Sequence, residues 1–358
     1  MKKLTLTVAS LLAGSTLFAQ SNESKIVETG DYNQAVVTQA GTHTSSVFQA
    51  SSAQNLADKN LTTVTQNNIN AYSISESESV VEQYGKSHIS TVLQTGKNYI
   101  EVFIGSDGTS PSENVDNETN ARQYGFLNSG LQVIRGATAN QSLLSLDQGG
   151  TNNNSVQTAS WAVSSKGVVV QNGNENDVWQ QIDGTRDEAY TTQLGDQNYS
   201  YQWIENGSSQ DNINTVIQTG NGNISRVITK GDDNRFSLLQ IGNNNKLVGL
   251  AGGIYSNAEQ TGDDNVATIT QSGDDNEVLL QQSGDGNTIK GTSIAGAFQL
   301  GSSNKAIFSQ NGDNLTIISK QFGHQNLEDA AQTGDGHISN VKQLGNQNSS
   351  IGVQANNP

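Results

Sequence analysis

Residues 260–287 read QTGDDNVATIT, QSGDDNEVLLQ, QSGDGN, so the phrase Gln-x-Gly-x-x-Asn occurs three times at a spacing of eleven residues. A short fixed period means one small unit stacked on itself, and that decides the fold before any residue is considered as a site. The phrase is intact again at 299–304, 321–326 and 343–348, with further copies beginning at Gln123, Gln148, Gln171, Gln193, Gln218 and Gln240. Between phrases, every second residue belongs to one class: Asn265, Ala267, Ile269, Gln271, then Asn276, Val278, Leu280, Gln282. Asn33, Ala35, Val37, Gln39 and Asn60, Thr62, Val64, Gln66 follow the same rule. Alternation of this kind predicts strands with one buried face. The positions between, such as Val266, Thr268 and Thr270, are mixed and suit a solvent face.

Gly two residues after the Gln, followed by Asp, Asn or Gly, is turn chemistry, because these residues tolerate positive φ. Each eleven-residue unit is therefore a strand plus a tight turn, and two units close a rung. The expected fold is all-β: a two-sheet parallel β-solenoid with rungs of about 22 residues, spaced ~4.8 Å apart, and sheets ~10 Å apart. In such a stack each buried amide can bond to its copy above and below, as in amyloid-like cross-β packing. The predicted ladders are Gln218, Gln240, Gln260, Gln271, Gln282, Gln299, Gln310, Gln321, Gln332 and Gln343. With them go Asn223, Asn234, Asn245, Asn265, Asn276, Asn287, Asn304, Asn326 and Asn348. Gly262, Gly273, Gly284, Gly301, Gly312, Gly323, Gly334 and Gly345 are the expected turn residues.

Composition agrees with a thin core. Only 33% of the 358 residues are hydrophobic, well under the roughly 45–50% of ordinary globular chains. Disordered Asn/Gln-rich tracts share that composition but have no reason to hold a register. Two prolines, Pro111 and Pro358, both fall outside the regular rows, since a strand paired on both sides cannot accept one. The net charge of −16 and the lack of a basic stripe argue against nucleic acid. With no cysteine, disulfides and thiolate metal sites are excluded.

Residues 1–19 read as a secretory signal, with Lys2 and Lys3 ahead of an apolar stretch and Ala19 before the expected cut. That stretch is too short and too polar for a membrane span. Residues 28–358 are expected to form the solenoid, with irregular insertions near 104–121, 159–170, 247–258 and 291–297 where the spacing slips.

Gln260, Gly262, Asn265, Ala267, Gln271 and Gln299, Gly301, Asn304, Ala306, Gln310 resemble the repeat of curlins, the secreted subunits of bacterial curli fibres. The likeness covers most of the chain and is clearest from Gln171 onward, although Asn usually stands where the family has Ser. The resemblance implies a structural protein rather than an enzyme, exported through a curli-type secretion pore, with residues 20–27 as a flexible targeting segment. It also implies a chaperone and a nucleator subunit as partners, and an extracellular, self-assembled fibre for adhesion and biofilm matrix. The residues themselves point the same way. After 343–348, Ser350, Gly352 and Gln354 keep strand parity and no capping helix is predicted, so an open edge is expected to template the next chain.

Other readings fit less well. Asp263, Asp274 and Asp285 suggest calcium, but the Gly-Gly-containing nonapeptide is absent, and turn formation with like-charge repulsion explains them. His43, His88, His324 and His337 fall at or near turns, His88 and His337 in place of the motif Asn, and none forms a metal-ligand pair on one strand. A carbohydrate-active parallel β-helix enzyme would draw its carboxylates from Glu113, Asp116 and Glu118, but these read as a solvated acidic loop and most turns are too short to build a groove; no cofactor is expected. A capped, monomeric adhesin using Trp161, Trp179 and Trp203 is the main alternative.

Overall fold

The computed structural model describes residues 22–30, 33–51, 60–67, 76–105, 115–136, 139–205, 210–250, 256–291 and 296–356; the expected leader and both prolines lie outside them. Among the described residues there is no helix. The chain enters as β1 (Glu23–Thr29), β2 (Gln34–Ala40), β3 (His43–Ser51), β4 (Leu61–Asn67) and β5 (Ser77–Gly85). Two long strands follow, β6 (Ile89–Gly105) and β7 (Glu118–Arg135). Next come β8 (Leu143–Thr151), β9 (Asn154–Ser160), β10 (Lys166–Asn174), β11 (Asp177–Ile182), β12 (Glu188–Leu194) and β13 (Tyr199–Glu205). The C-terminal part begins with β14 (Ile213–Thr219), β15 (Ile224–Lys230), β16 (Arg235–Ile241), β17 (Lys246–Val248), β18 (Ala258–Thr261), β19 (Val266–Ser272) and β20 (Glu277–Ser283). It ends with β21 (Thr288–Lys290), β22 (Ala297–Leu300), β23 (Lys305–Asn311), β24 (Thr316–Phe322), β25 (Leu327–Thr333), β26 (Ile338–Leu344) and β27 (Ser349–Ala355).

These strands stack in parallel as two walls. Wall one holds β2, β4, the first halves of β6 and β7, β8, β10, β12, β14, β16, β19, the pair β21–β22, β24 and β26, thirteen levels in all. Wall two holds β1, β3, β5, the second halves of β6 and β7, β9, β11, β13, β15, the pair β17–β18, β20, β23, β25 and β27, fourteen levels. Alternation places each strand: in β24, Ile317, Ser319 and Gln321 are buried while their neighbours are half-exposed. The aliphatic rows between the walls, among them Val64, Val92, Leu146, Leu238, Ile269 and Ile317, form the narrow core. The result is an all-β parallel solenoid of about twelve turns.

The rung is 22 residues only where the sequence is regular, as at Ile213 over Arg235 and Lys305 over Leu327. Arg235 to Val266 spans 31 residues and Glu277 to Lys305 spans 28, so the mean is roughly 25. The extra residues near 249–257 and 291–296 interrupt a single level part-way along. β17 and β18 both lie between β15 and β20, and β21 and β22 both lie between β19 and β24. A stack requires only that the chain re-enter at the next level, and lengthening a surface loop costs little, ~0.6 kcal/mol per doubling.

Two expectations change. From Glu23 on, the segment expected to be a flexible one is strand β1, paired residue for residue with Thr44–Ala50. The stretch 159–170 is no insertion: β9 and β10 occupy its ends, with a short corner between them. The insertion expected near 104–121 falls largely on residues 106–114, outside the described ones, on a level where Ile89 pairs with Glu118, 29 positions on; β6 and β7 each continue round the corner between the walls, with a register shift at Lys97/Asn98, and so serve both walls.

Candidate functional site

The chemistry of this molecule is concentrated in its side-chain ladders. In wall one the last inward position of every level is Gln, from Gln39 through Gln66, Gln94, Gln123, Gln148, Gln171, Gln193, Gln218, Gln240, Gln271, Gln299 and Gln321 to Gln343. Each Nε2 donates to the Oε1 of the next level at 2.7–3.1 Å without a break. The second amide proton goes to a backbone carbonyl of the opposite wall, as from Gln240 to Ile224 at 3.1 Å. A Gln therefore bonds along the stack and also ties the walls together. The ladder has a direction: carbonyls face the N-terminal end and N–H donors the C-terminal end.

Wall two runs differently. Gln260, Gln282, Gln310, Gln332 and Gln354 form one ladder at 2.8–2.9 Å. Gln49 and Gln83 form another in the same column. Between them the glutamines move two residues earlier in the strand, to Gln132, Gln157, Gln180 and Gln202. Ile104, Ile134, Ile182, Ile204 and Thr229 are among the residues that fill the vacated column. Each segment begins with a buried carbonyl that nothing below can serve: the Oε1 atoms of Gln49, Gln132 and Gln260 have no partner. Such orphans cost about 1–3 kcal/mol each. The switch was missed in the sequence because both columns share one parity; the signal lay in Gln157, Gln180 and Gln202 falling two residues early.

At the corners the motif Asn closes each level. The Oδ1 of Asn223 accepts both the backbone N–H and the Nδ2 of Asn245, whose Nδ2 also donates to the Gly273 carbonyl at 2.7 Å. Asn234, Asn265 and Asn287 in wall one, and Asn276, Asn304, Asn326 and Asn348 in wall two, repeat this N–H capping. Histidine can stand in. His88 Nδ1 accepts the Asn117 N–H and its Nε2 meets the Tyr84 carbonyl at 3.0 Å, while His43 does the same with Ser77 and Ala40. That role needs a neutral ring, and burial pushes His88 down to about 4.

The turn glycines are obligatory for a steric reason. Gly242, Gly273, Gly301, Gly323 and Gly345 stack in one column, and Gly262, Gly284, Gly312 and Gly334 in another. Each has positive φ, and a Cβ on Gly242 would lie 2.1 Å from the Gly273 carbonyl oxygen. Beside them, Asp232, Asp263, Asp285 and Asp313 stand on one edge, the backbone N–H of each donating to the Asp of the next level at 2.9 Å up to Asp313. Asp274 lies on the other edge and accepts from Asn243. The Asp side chains thus bond along the turn columns from level to level. Among the described residues no group of three His, Asp or Glu side chains is placed to hold a metal.

One buried charge breaks the pattern. Glu328 lies inward in β25, fully covered, with Ser319 Oγ donating to its Oε2 and no partner for Oε1. Burial pushes its carboxyl up to about 7. On the outward face, exposed Trp179 meets the buried Tyr201 edge-on at 4.6 Å, with Arg226 over the Tyr201 ring; Trp161 is exposed and Trp203 donates to Asp183. The Asp116 backbone N–H donates to the Lys86 carbonyl at a corner, Glu118 opens β7 in register with Leu143, and Glu113 lies outside the described residues.

A search of curated proteins finds no match to this chain. Residues 257–290, the same stretch that sets the period, match the family model of the curlin-associated repeat, so this part of the stack is similar to curlin repeats.

Proposed function

We propose that the protein is a secreted structural subunit that polymerises end to end, each chain templating the next, into curli-like amyloid fibres that serve adhesion and biofilm matrix. The observation that carries this reading is the state of the last levels. Among the described residues nothing covers β26 and β27, where Ile338, Leu344, Ile351 and Val353 are between 59% and 74% exposed. The ladder donors of Gln343 and Gln354 have no glutamine beyond them. An open parallel edge with matching side chains recruits a further strand. The leader, the secretion pore, the chaperone and the nucleator belong to the same reading, by resemblance to curlins. A non-enzymatic role follows from it, since the inward residues are used up in packing and ladders.

The test is assembly of the purified chain without its leader. Growth should follow a lag that preformed fibres abolish, and dried fibres should diffract near the ~4.8 Å strand spacing. A second reading, a monomeric adhesin, is favoured by the exposed rings of Trp161 and Trp179 on the outward face. Freshly desalted chain that stays monomeric and is unaffected by seeds would support it against the fibre.

A further inference from the structure

We propose that β1 is a displaceable plug: it holds the place on wall two that the end of a second copy must take, so the chain grows by seating β2 and β3 on its neighbour's β26 and β27. This inference rests on the fibre reading above and adds how the joint is made and controlled.

Parity comes first. Among the described residues wall two has one level more than wall one, because both the first strand, β1, and the last, β27, belong to it. In a spiral, β26 is followed half a rung higher by β27, and the next half-rung belongs to wall one. If an incoming copy places β2 there, directly on β26, its β3 falls on β27. Its β1 then falls at the level β27 already holds. Keeping β1 in place instead leaves wall one a level short at every joint, with the backbone groups of two facing strands unpaired, which a buried sheet does not tolerate.

The side chains agree with that register. Gln343 ends wall one as a donor and Gln39 begins it as an acceptor, so seating β2 on β26 continues the ladder. On wall two Gln354 would meet Gln49, whose buried Oε1 has no partner. The residue now facing Gln49 is Glu28, in register with it; an ionised carboxylate offers no proton to that carbonyl. β1 otherwise imitates β27. Asn22 Oδ1 accepts the His43 N–H at 3.1 Å, the bond that Asn348 would supply. All seven residues of β1 are exposed. It is a strand that fits well enough to cover the edge and lacks the one group that would lock it.

The chain has no cysteine, so a reversible lock can be added cleanly. Lys25 and Ser46 are register partners on the outer face, at a separation a disulfide can bridge. The experiment follows elongation of unmodified seeds by the Lys25→Cys/Ser46→Cys chain, oxidised and then reduced, by thioflavin fluorescence. Oxidised chain is expected to add at least about ten-fold more slowly, with full recovery on reduction. Glu28→Gln, which supplies the missing donor, should slow addition about five-fold, the worth of one net hydrogen bond. Oxidised and reduced chains adding at equal rates, or Glu28→Gln adding as fast as the native chain, would overturn the plug while leaving the fibre intact. If the native chain forms no fibre at all, the fibre reading fails first and takes the plug with it.

Discussion

Wall one and wall two are built from the same repeat, yet one carries a single amide ladder through thirteen levels and the other carries three shorter ones. In wall one every glutamine between Gln39 and Gln343 has its donor and its acceptor in line. In wall two the glutamines change column at Gln132 and again at Gln260, and each change leaves a buried carbonyl unserved. The difference teaches that the stack needs a glutamine on each level of one wall and tolerates an aliphatic residue in its place on the other. Ile134, Ile182 and Ile204 keep the walls apart without bonding along the axis. Wall one is the continuous spine, and wall two adapts around it, including at the plugged N-terminal end and around the buried Glu328.

The largest effect should come from the glycine column that follows wall one. Gly242→Ala puts a Cβ against the carbonyl of the next level at φ +113°, and should cost at least about 4 kcal/mol in urea unfolding. Gly336→Ala, in the column after wall two, meets nothing within 4 Å and carries only the left-handed backbone cost, ~1 kcal/mol. Equal losses would mean that the columns do not interlock.

Next is the contrast between ladders. Gln218→Leu removes the acceptor of Gln193 and strips the carbonyl of Gln240 of its donor, for about 3 kcal/mol. Gln202→Leu ends a segment whose neighbour Gln180 also donates to Thr191 and Val168, so about 1 kcal/mol is expected. A reversal of that order would refute the spine.

Two titrations of opposite sign separate the halves of the molecule. His88 has a folded pKa below its ordinary value, so the unfolded chain binds the proton more readily. Its contribution is complete above about 6.5 and is lost as pH falls towards 4, by ~3 kcal/mol. Glu328 has a raised pKa, so it costs nothing below about 4.5 and destabilises increasingly as pH rises to about 7. Glu328→Gln should accordingly stabilise by up to ~3 kcal/mol at pH 8 and leave stability at pH 4 unchanged. Hydrogen exchange should place the acid-sensitive loss around β4 to β7 and the alkaline loss, relieved in Glu328→Gln, around β24 to β27.

Much of the candidate site could be read from the repeat. Gln240, Gln271 and Gln299 keep a fixed place relative to the turn glycine, and a register that strict leaves only stacking as its use. What could not be read is which of two inward columns a glutamine occupies, because Gln180 and Ile182 have the same parity and only the neighbouring levels distinguish them. Nor did β1 stand out: Glu23–Thr29 lacks the phrase and is held by pairing with β3 and by side-chain bonds from Asn33 and Gln39 to its carbonyls. The insertion after Val248 is likewise visible as lost spacing, while its place in mid-strand depends on β15 and β20 on either side.

The sequence by itself determined the period, the inward face of each strand and the turn that ends it, since these depend on residues within one rung. The tertiary structure decided which levels meet, where the ladders break, and that β1 and β27 contend for the same wall. Those properties depend on bonds between residues 21 or more positions apart, and a linear repeat does not record which copy lies beneath which.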